Sequence, residues 1–167
     1  MTVPKMPRSQ GFTLIELLGV VAIMAITLAF GLPSFRATIA DNRLSTSAND
    51  MIIALQLARS ESIKQVIIAG VNIPSGGGSQ WDVFKNISGV PANVLQKYTA
   101  ASGVRVDAIS AGVMDETPTY RSDGRLTSAT EIKFHFTLTH STASRILTIQ
   151  PSGRVSVCNP ALDPSCT

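Results

Sequence analysis

At 167 residues the chain is long enough for one ordinary domain and too short for two large ones. Fourteen Lys and Arg against eleven Asp and Glu leave a net charge of +3, too mild to imply nucleic-acid binding by itself. Only 15% of residues are charged, where a soluble domain carries about 25%, and the mean hydropathy is +0.23. The apolar excess is therefore either spread through a dense core or gathered into one membrane segment.

It is gathered. From Phe12 to Leu32 the chain reads FTLIELLGVVAIMAITLAFGL, with Glu16 its one charge. As a helix this run is about 31 Å long, matching a hydrocarbon core of about 30 Å. A buried core helix would show a polar stripe, and this run has no polar residue beyond Thr13, Glu16 and Thr27. Residues 1–11, MTVPKMPRSQG, carry Lys5 and Arg8 and no acid, which predicts an amino end held in the cytoplasm and a remainder that crosses outward. A secretory signal needs a small-residue site after the apolar stretch. Phe30, Gly31, Leu32 and Pro33 stand there instead.

Glu16 is the anomaly. A carboxylate in an apolar helix costs on the order of 2.5–3.5 kcal/mol at the bilayer centre, less near an end, and such residues are functional by default. A cut between Gly11 and Phe12 would create an amino group four residues before Glu16, on the same helical face, able to neutralise it within one subunit or between neighbours. The stretch Gly11-Phe12-Thr13-Leu14-Ile15-Glu16-Leu17, after a basic leader and before an apolar helix, resembles the class III signal of type IV pilins and type II secretion pseudopilins. The resemblance implies cleavage by a prepilin peptidase between Gly11 and Phe12, N-methylation of Phe12, and pairing of Glu16 with a neighbouring subunit's amino terminus during filament assembly. Pro33 matches that family's helix proline near the membrane exit.

Pro33 lacks an amide proton and disfavours helix at Leu32, so a kink or break is expected there. Beyond it, Phe35 to Lys64 reads as an amphipathic helix. Ala48, Met51, Ile52, Leu55, Ala58 and Ser62 share one face, while Asp41, Arg43, Asp50, Gln56 and Glu61 take others. From Val66 the pattern turns to strands, over 66–73, 81–87, 104–109, 131–139, 145–150 and 154–158. In the fourth of these, Ile132, Phe134, Phe136 and Leu138 alternate with Glu131, Lys133, His135 and Thr137, a half-buried strand. Ser122-Asp123-Gly124-Arg125 reads as a tight turn and Gly76-Gly77-Gly78 as a hairpin loop, since no Lys-Ser/Thr follows to make it a phosphate cradle. The fold class is α+β, one long helix packed on an antiparallel sheet.

Cys158 and Cys166 close the chain on the same side of the membrane segment, outward, where the compartment is oxidising. A disulfide is the favoured reading over free thiols or a metal pair, which no nearby His supports. No metal, cofactor or catalytic residue is expected. His135 on a polar strand face and His140 in a Thr/Ser-rich turn stand in no HExxH, CxxC or GxSxG context and read as surface histidines.

The segment DNRLSTSANDMIIALQLARSESIKQ, the strand beginning Trp81-Asp82-Val83-Phe84, the turn YRSDGRL (120–126) and the closing RILTIQPSGRVSVC (145–158) resemble the GspH/FimT family of minor pilins and minor pseudopilins. That resemblance implies a type IV pilin-like organisation: a cleaved leader at 1–11, a transmembrane helix half at 12–33, an amphipathic half at 34–65, and a periplasmic β domain at 66–167 ending in a disulfide loop. It implies a minor pilin of a type IV pilus, in an initiation or tip complex, with a minor pseudopilin of type II secretion as the alternative. The partners would be other minor and major pilins or pseudopilins, the prepilin peptidase and the inner membrane, with delivery to the cell surface in a filament.

DNA is the competing partner. Arg125, Arg145 and Arg154 lie near turns or strand ends. Some FimT-type minor pilins are implicated in DNA uptake and carry a GRxR motif in the C-terminal region. The matching stretch here is Gly153-Arg154-Val155-Ser156, with serine in place of the second arginine. Without Lys5 and Arg8 the chain keeps twelve basic against eleven acidic side chains, a net of +1.

Overall fold

The computed structural model describes residues 11–74, 77–87, 90–110 and 117–166. The leader residues 1–10, with Lys5 and Arg8, and Gly76 of the glycine run lie outside the described residues. The chain divides into two compact units, Met1–Thr38 and Ile39–Thr167.

Helix α1 runs over Leu14–Gln65. Thr13 caps its start: the Thr13 Oγ1 accepts the Glu16 N–H at 3.3 Å, and the Thr13 carbonyl accepts the Leu17 N–H at 3.1 Å. Thr13 and Glu16 thus hold the two positions of a capping box, with the acid also favoured by the helix dipole. In the first unit the apolar side chains are exposed, from Phe12 through Phe30 and Phe35. The hydroxyl of Thr27 in this stretch is satisfied within the helix, because its Oγ1 donates to the carbonyls of Ile23 and Met24, both at 2.9 Å. Of the kink or break expected at Pro33, a break does not occur: the helix runs on through it. Proline removes one amide donor, and in a helix of 52 residues the bonds on either side persist.

In the second unit the carboxyl half of α1 buries Leu44, Ala48, Met51, Ala54, Leu55 and Ala58, the predicted face widened by one turn. The helix ends with Val66 at a φ of 55°, and the Ile67 N–H returns to the Ser62 carbonyl at 3.2 Å. This is a Schellman-type cap with a β-branched residue where glycine is usual. Val66 therefore belongs to the cap, and the first strand starts two residues later than its sequence pattern suggests.

Two four-stranded antiparallel sheets follow, rather than one. The first orders β3 (Val90–Thr99), β2 (Gln80–Ile87), β1 (Ile68–Asn72) and β5 (Thr119–Tyr120). The second orders β4 (Val104–Ser110), β6 (Ile132–Leu138), β7 (Ser144–Ile149) and β8 (Val155–Cys158). β3 and β5 have no clear sequence signal: β3 is an edge strand with two register irregularities against β2, and β5 has two residues. The strand with the clearest alternation behaves as expected, with Ile132, Phe134 and Phe136 fully buried. The glycine loop does more than turn the chain. Gly78 exchanges both backbone hydrogen bonds with Val106 of β4, at 2.9 and 2.8 Å, and so ties the first sheet's loop to the second sheet.

Cys158 and Cys166 are joined by a disulfide, with Cα atoms 5.9 Å apart. Inside that loop Asp163 accepts from the Ser165 hydroxyl at 2.6 Å and its N–H at 2.9 Å, which holds the carboxyl below its ordinary range. Replacing both cysteines by serine is expected to lower stability by about 2.5 kcal/mol, from the loop length alone, as read by urea unfolding.

Candidate functional site

The amino-terminal candidates stand in the open. Among the described residues, chain neighbours aside, no atom lies within 4 Å of the place a β-carbon on Gly11 would take; Phe12 is 82% exposed, and both precede the first helical residue, Leu14. The Gly11–Phe12 peptide bond is thus accessible, ahead of the capped turn that carries Glu16.

The three arginines singled out from the sequence part company. Arg145, on β7, is buried. Its guanidinium is bound to the Asp41 carboxylate of α1 and donates to the Ser144 carbonyl at 2.9 Å. Its role is to tie β7 to the helix, and it offers no free face to a phosphate. Arg125 and Arg154 come together instead, on two neighbouring turns. Gly124 N–H closes on the Arg121 carbonyl at 2.9 Å, Gly153 N–H on the Gln150 carbonyl at 2.8 Å, and Leu126 N–H joins the turns through the Pro151 carbonyl at 3.1 Å. Arg121, Arg125 and Arg154 are exposed, and none of their guanidinium groups has a partner among the described residues.

Sequence reading missed the residue on which both turns rest. Arg59, from α1, donates to the carbonyls of Gly153 at 3.2 Å and Ser152 at 3.4 Å. Gly124 and Gly153 have φ of 76° and 82°, and a side-chain carbon on either would meet the Arg59 Nε at 3.2 or 3.3 Å. On Gly153 it would also meet the Gly124 carbonyl oxygen at 2.6 Å. The glycines of the two Gly-Arg pairs are therefore required twice, by backbone conformation and by the space that Arg59 fills. The available signal was the pair of Gly-Arg turns itself, but nothing local points from them to position 59.

Beside Arg59 lies a cleft of about 320 Å³ whose lining includes Tyr120, Gly153 and Arg154 together with Leu55 and Val155. Tyr120 is fully buried and its hydroxyl has no hydrogen-bond partner among the described residues. Burial pushes the phenol up to about 12, partly opposed by the Arg59 charge. His135 is half-buried on β6 opposite Asp107, and His140 is exposed in the turn after β6 with a φ of 64°.

An exposed apolar helix with a capped acid in its first turn, continuing into a two-sheet domain, is a pilin-like fold. The chain belongs to the GspH family: the family model described as type II transport protein GspH matches residues 47–153. The prokaryotic N-terminal methylation motif matches residues 6–32. Similar solved structures include the type IV minor pilin FimU of Pseudomonas aeruginosa, at 24% identity and a TM-score of 0.59, covering 71% of this chain and 90% of FimU. The minor pseudopilin EpsH from the type 2 secretion system of Vibrio cholerae is 16% identical with a TM-score of 0.57, covering 71% of this chain and 98% of EpsH. These two likenesses concern the fold. No curated protein matches the chain.

Gly153→Ala is expected to destabilise the domain by more than about 2 kcal/mol in denaturant unfolding, through φ and the clash with Gly124 and Arg59. The folded chain holds the Tyr120 proton to about pH 12, whereas the unfolded chain releases it near pH 10. Stability is accordingly full below pH 10 and falls by on the order of 2–3 kcal/mol as pH rises to 12. Tyr120→Phe should flatten that fall and, at neutral pH, leave stability unchanged or raised by about 1 kcal/mol, because it removes an unsatisfied buried hydroxyl.

Proposed function

We propose that the protein is a membrane-anchored minor pilin of a type IV pilus, a subunit of its initiation or tip complex. The methylation motif over residues 6–32, which takes in the start of a helix long and apolar enough to cross a membrane, is the observation that carries the reading. The basic leader holds the amino end in the cytoplasm, the helix spans the inner membrane once, and the β domain faces the periplasm. Prepilin peptidase cleaves between Gly11 and Phe12, an accessible bond outside the helix, and Phe12 is N-methylated. Glu16, four residues on, neutralises an incoming subunit's amine, which removes the cost of an unpaired carboxylate in the bilayer and sets the subunit's register.

A minor pseudopilin of a type II secretion system is the second reading, favoured by the description of the matching family model. Both readings use the same processing and the same assembly chemistry. Nucleic acid is a weaker partner. Arg145 is tied to Asp41, and beyond residue 33 twelve basic side chains face ten acidic ones.

Mass spectrometry of the membrane-extracted protein is expected to find a mature chain beginning at methylated Phe12; an intact Met1 would overturn the reading. Glu16→Ala should be processed normally yet enter filaments at least about tenfold less, as one unpaired amine and its lost partner would dictate.

A further inference from the structure

Of the buried polar atoms without a partner among the described residues, the Tyr120 hydroxyl is the one beside a cleft lined by cations. Arg59 and Arg154 line that cleft, and the turn carrying Arg121 and Arg125 adjoins it. Of the acids nearby, Asp123 Oδ1 accepts the Arg125 N–H, and Glu61 is engaged by Lys64 and Gln65. The guanidinium groups of Arg121, Arg125 and Arg154 have no acid to answer them among the described residues.

We propose that this corner is a receptor for a carboxylate side chain of a partner subunit, held by Arg154, Arg59 and the Tyr120 hydroxyl. The chemistry fits an acid on a short apolar stem. Guanidinium and phenol groups donate to a carboxylate with charge assistance, and Leu55 and Val155 give its methylene groups an apolar wall. A cleft of about 320 Å³ takes one side chain. A polynucleotide draws its affinity from many phosphate contacts along a strand. This corner gathers four arginines around one cleft, of which only Arg59 and Arg154 line it. The orphan hydroxyl is thereby explained as a donor that acquires its acceptor only in the assembly.

The inference rests on the reading that this domain meets partner subunits. The test is a titration of full-length, detergent-solubilised protein, following the arginine Nε–H resonances and the Tyr120 ring. The probes are the peptide acetyl-Gly-Leu-Glu-Leu-Gly-amide, its Gln counterpart, and dodecathymidylate. The acidic peptide should shift Arg59, Arg154 and Tyr120 saturably, and the Gln peptide should not. Arg154→Gln should weaken the acidic peptide at least about tenfold and Tyr120→Phe about threefold or more, while Lys97→Gln, an exposed cation on β3, leaves it unchanged. The proposal is overturned if the two peptides act alike, if neither acts, if Arg154→Gln has no effect, or if dodecathymidylate binds more tightly through the same arginines. Failure of the processing experiment at Phe12 would leave peptide binding intact, and the reverse holds, so the two readings fail separately.

Discussion

The burial of one stripe of α1 is the contact on which the rest of the domain depends. Leu44, Ala48, Met51, Leu55 and Ala58 share a core with Val71, Trp81 and Val83 of the first sheet and with Val106, Phe134, Phe136 and Leu147 of the second. Each large side chain removed from water contributes roughly 1.5–3 kcal/mol, and both sheets place side chains in this one core. The alanines at 48, 54 and 58 are fully or almost fully buried, and their small side chains suit close packing of the helix in the core. Trp81 in turn stacks on Tyr98 across β2 and β3, with ring centres 6.2 Å apart, so the edge strand is held by an aromatic pair where its own pattern is weak.

Apolar burial does not by itself fix where along the helix each sheet docks. Polar ties do. Ser47 Oγ accepts the Ala101 N–H at 2.9 Å, Asp41 holds Arg145 of β7, and Arg59 holds the carbonyls of the turn before β8. These contacts are spread along α1 at positions 41, 47 and 59, each with one partner geometry, so a helix shifted by one turn would leave their donors and acceptors unsatisfied. The Arg59 contact also places two Gly-Arg turns side by side, which turns a structural clasp into a concentration of positive charge.

The same helix meets two different solvents. From Phe12 through Phe30 and at Phe35 its apolar side chains are exposed in the protein and suit lipid, whereas Leu44, Ala48, Met51, Ala54, Leu55 and Ala58 are buried in the core of the second unit. The acid at position 16 sits in the first turn of the apolar part, where a capped amino terminus and the helix dipole already favour negative charge. The exposed apolar surface and the capped acid thus belong to the first unit, and the two Gly-Arg turns to the second.

What the amino-acid sequence determined alone was everything that depends on neighbours in the chain. An uninterrupted apolar run, the T-x-x-E start, a 3.6-residue stripe from Ala48 to Ser62, the alternation of β6 and two closely spaced cysteines are local patterns, and local patterns dictate element type. The split into two sheets, the strands β3 and β5, the helix cap at Val66, the capture of Arg145 by Asp41 and the convergence of Gly124 and Gly153 on Arg59 were decided by tertiary structure. Apart from the cap, which closes locally on Ser62, these features join groups distant in sequence: Arg59 and Gly153 are 94 residues apart, Asp41 and Arg145 104. Which side chain meets which across such distances follows from how the covered faces pack, and periodicity carries no record of it.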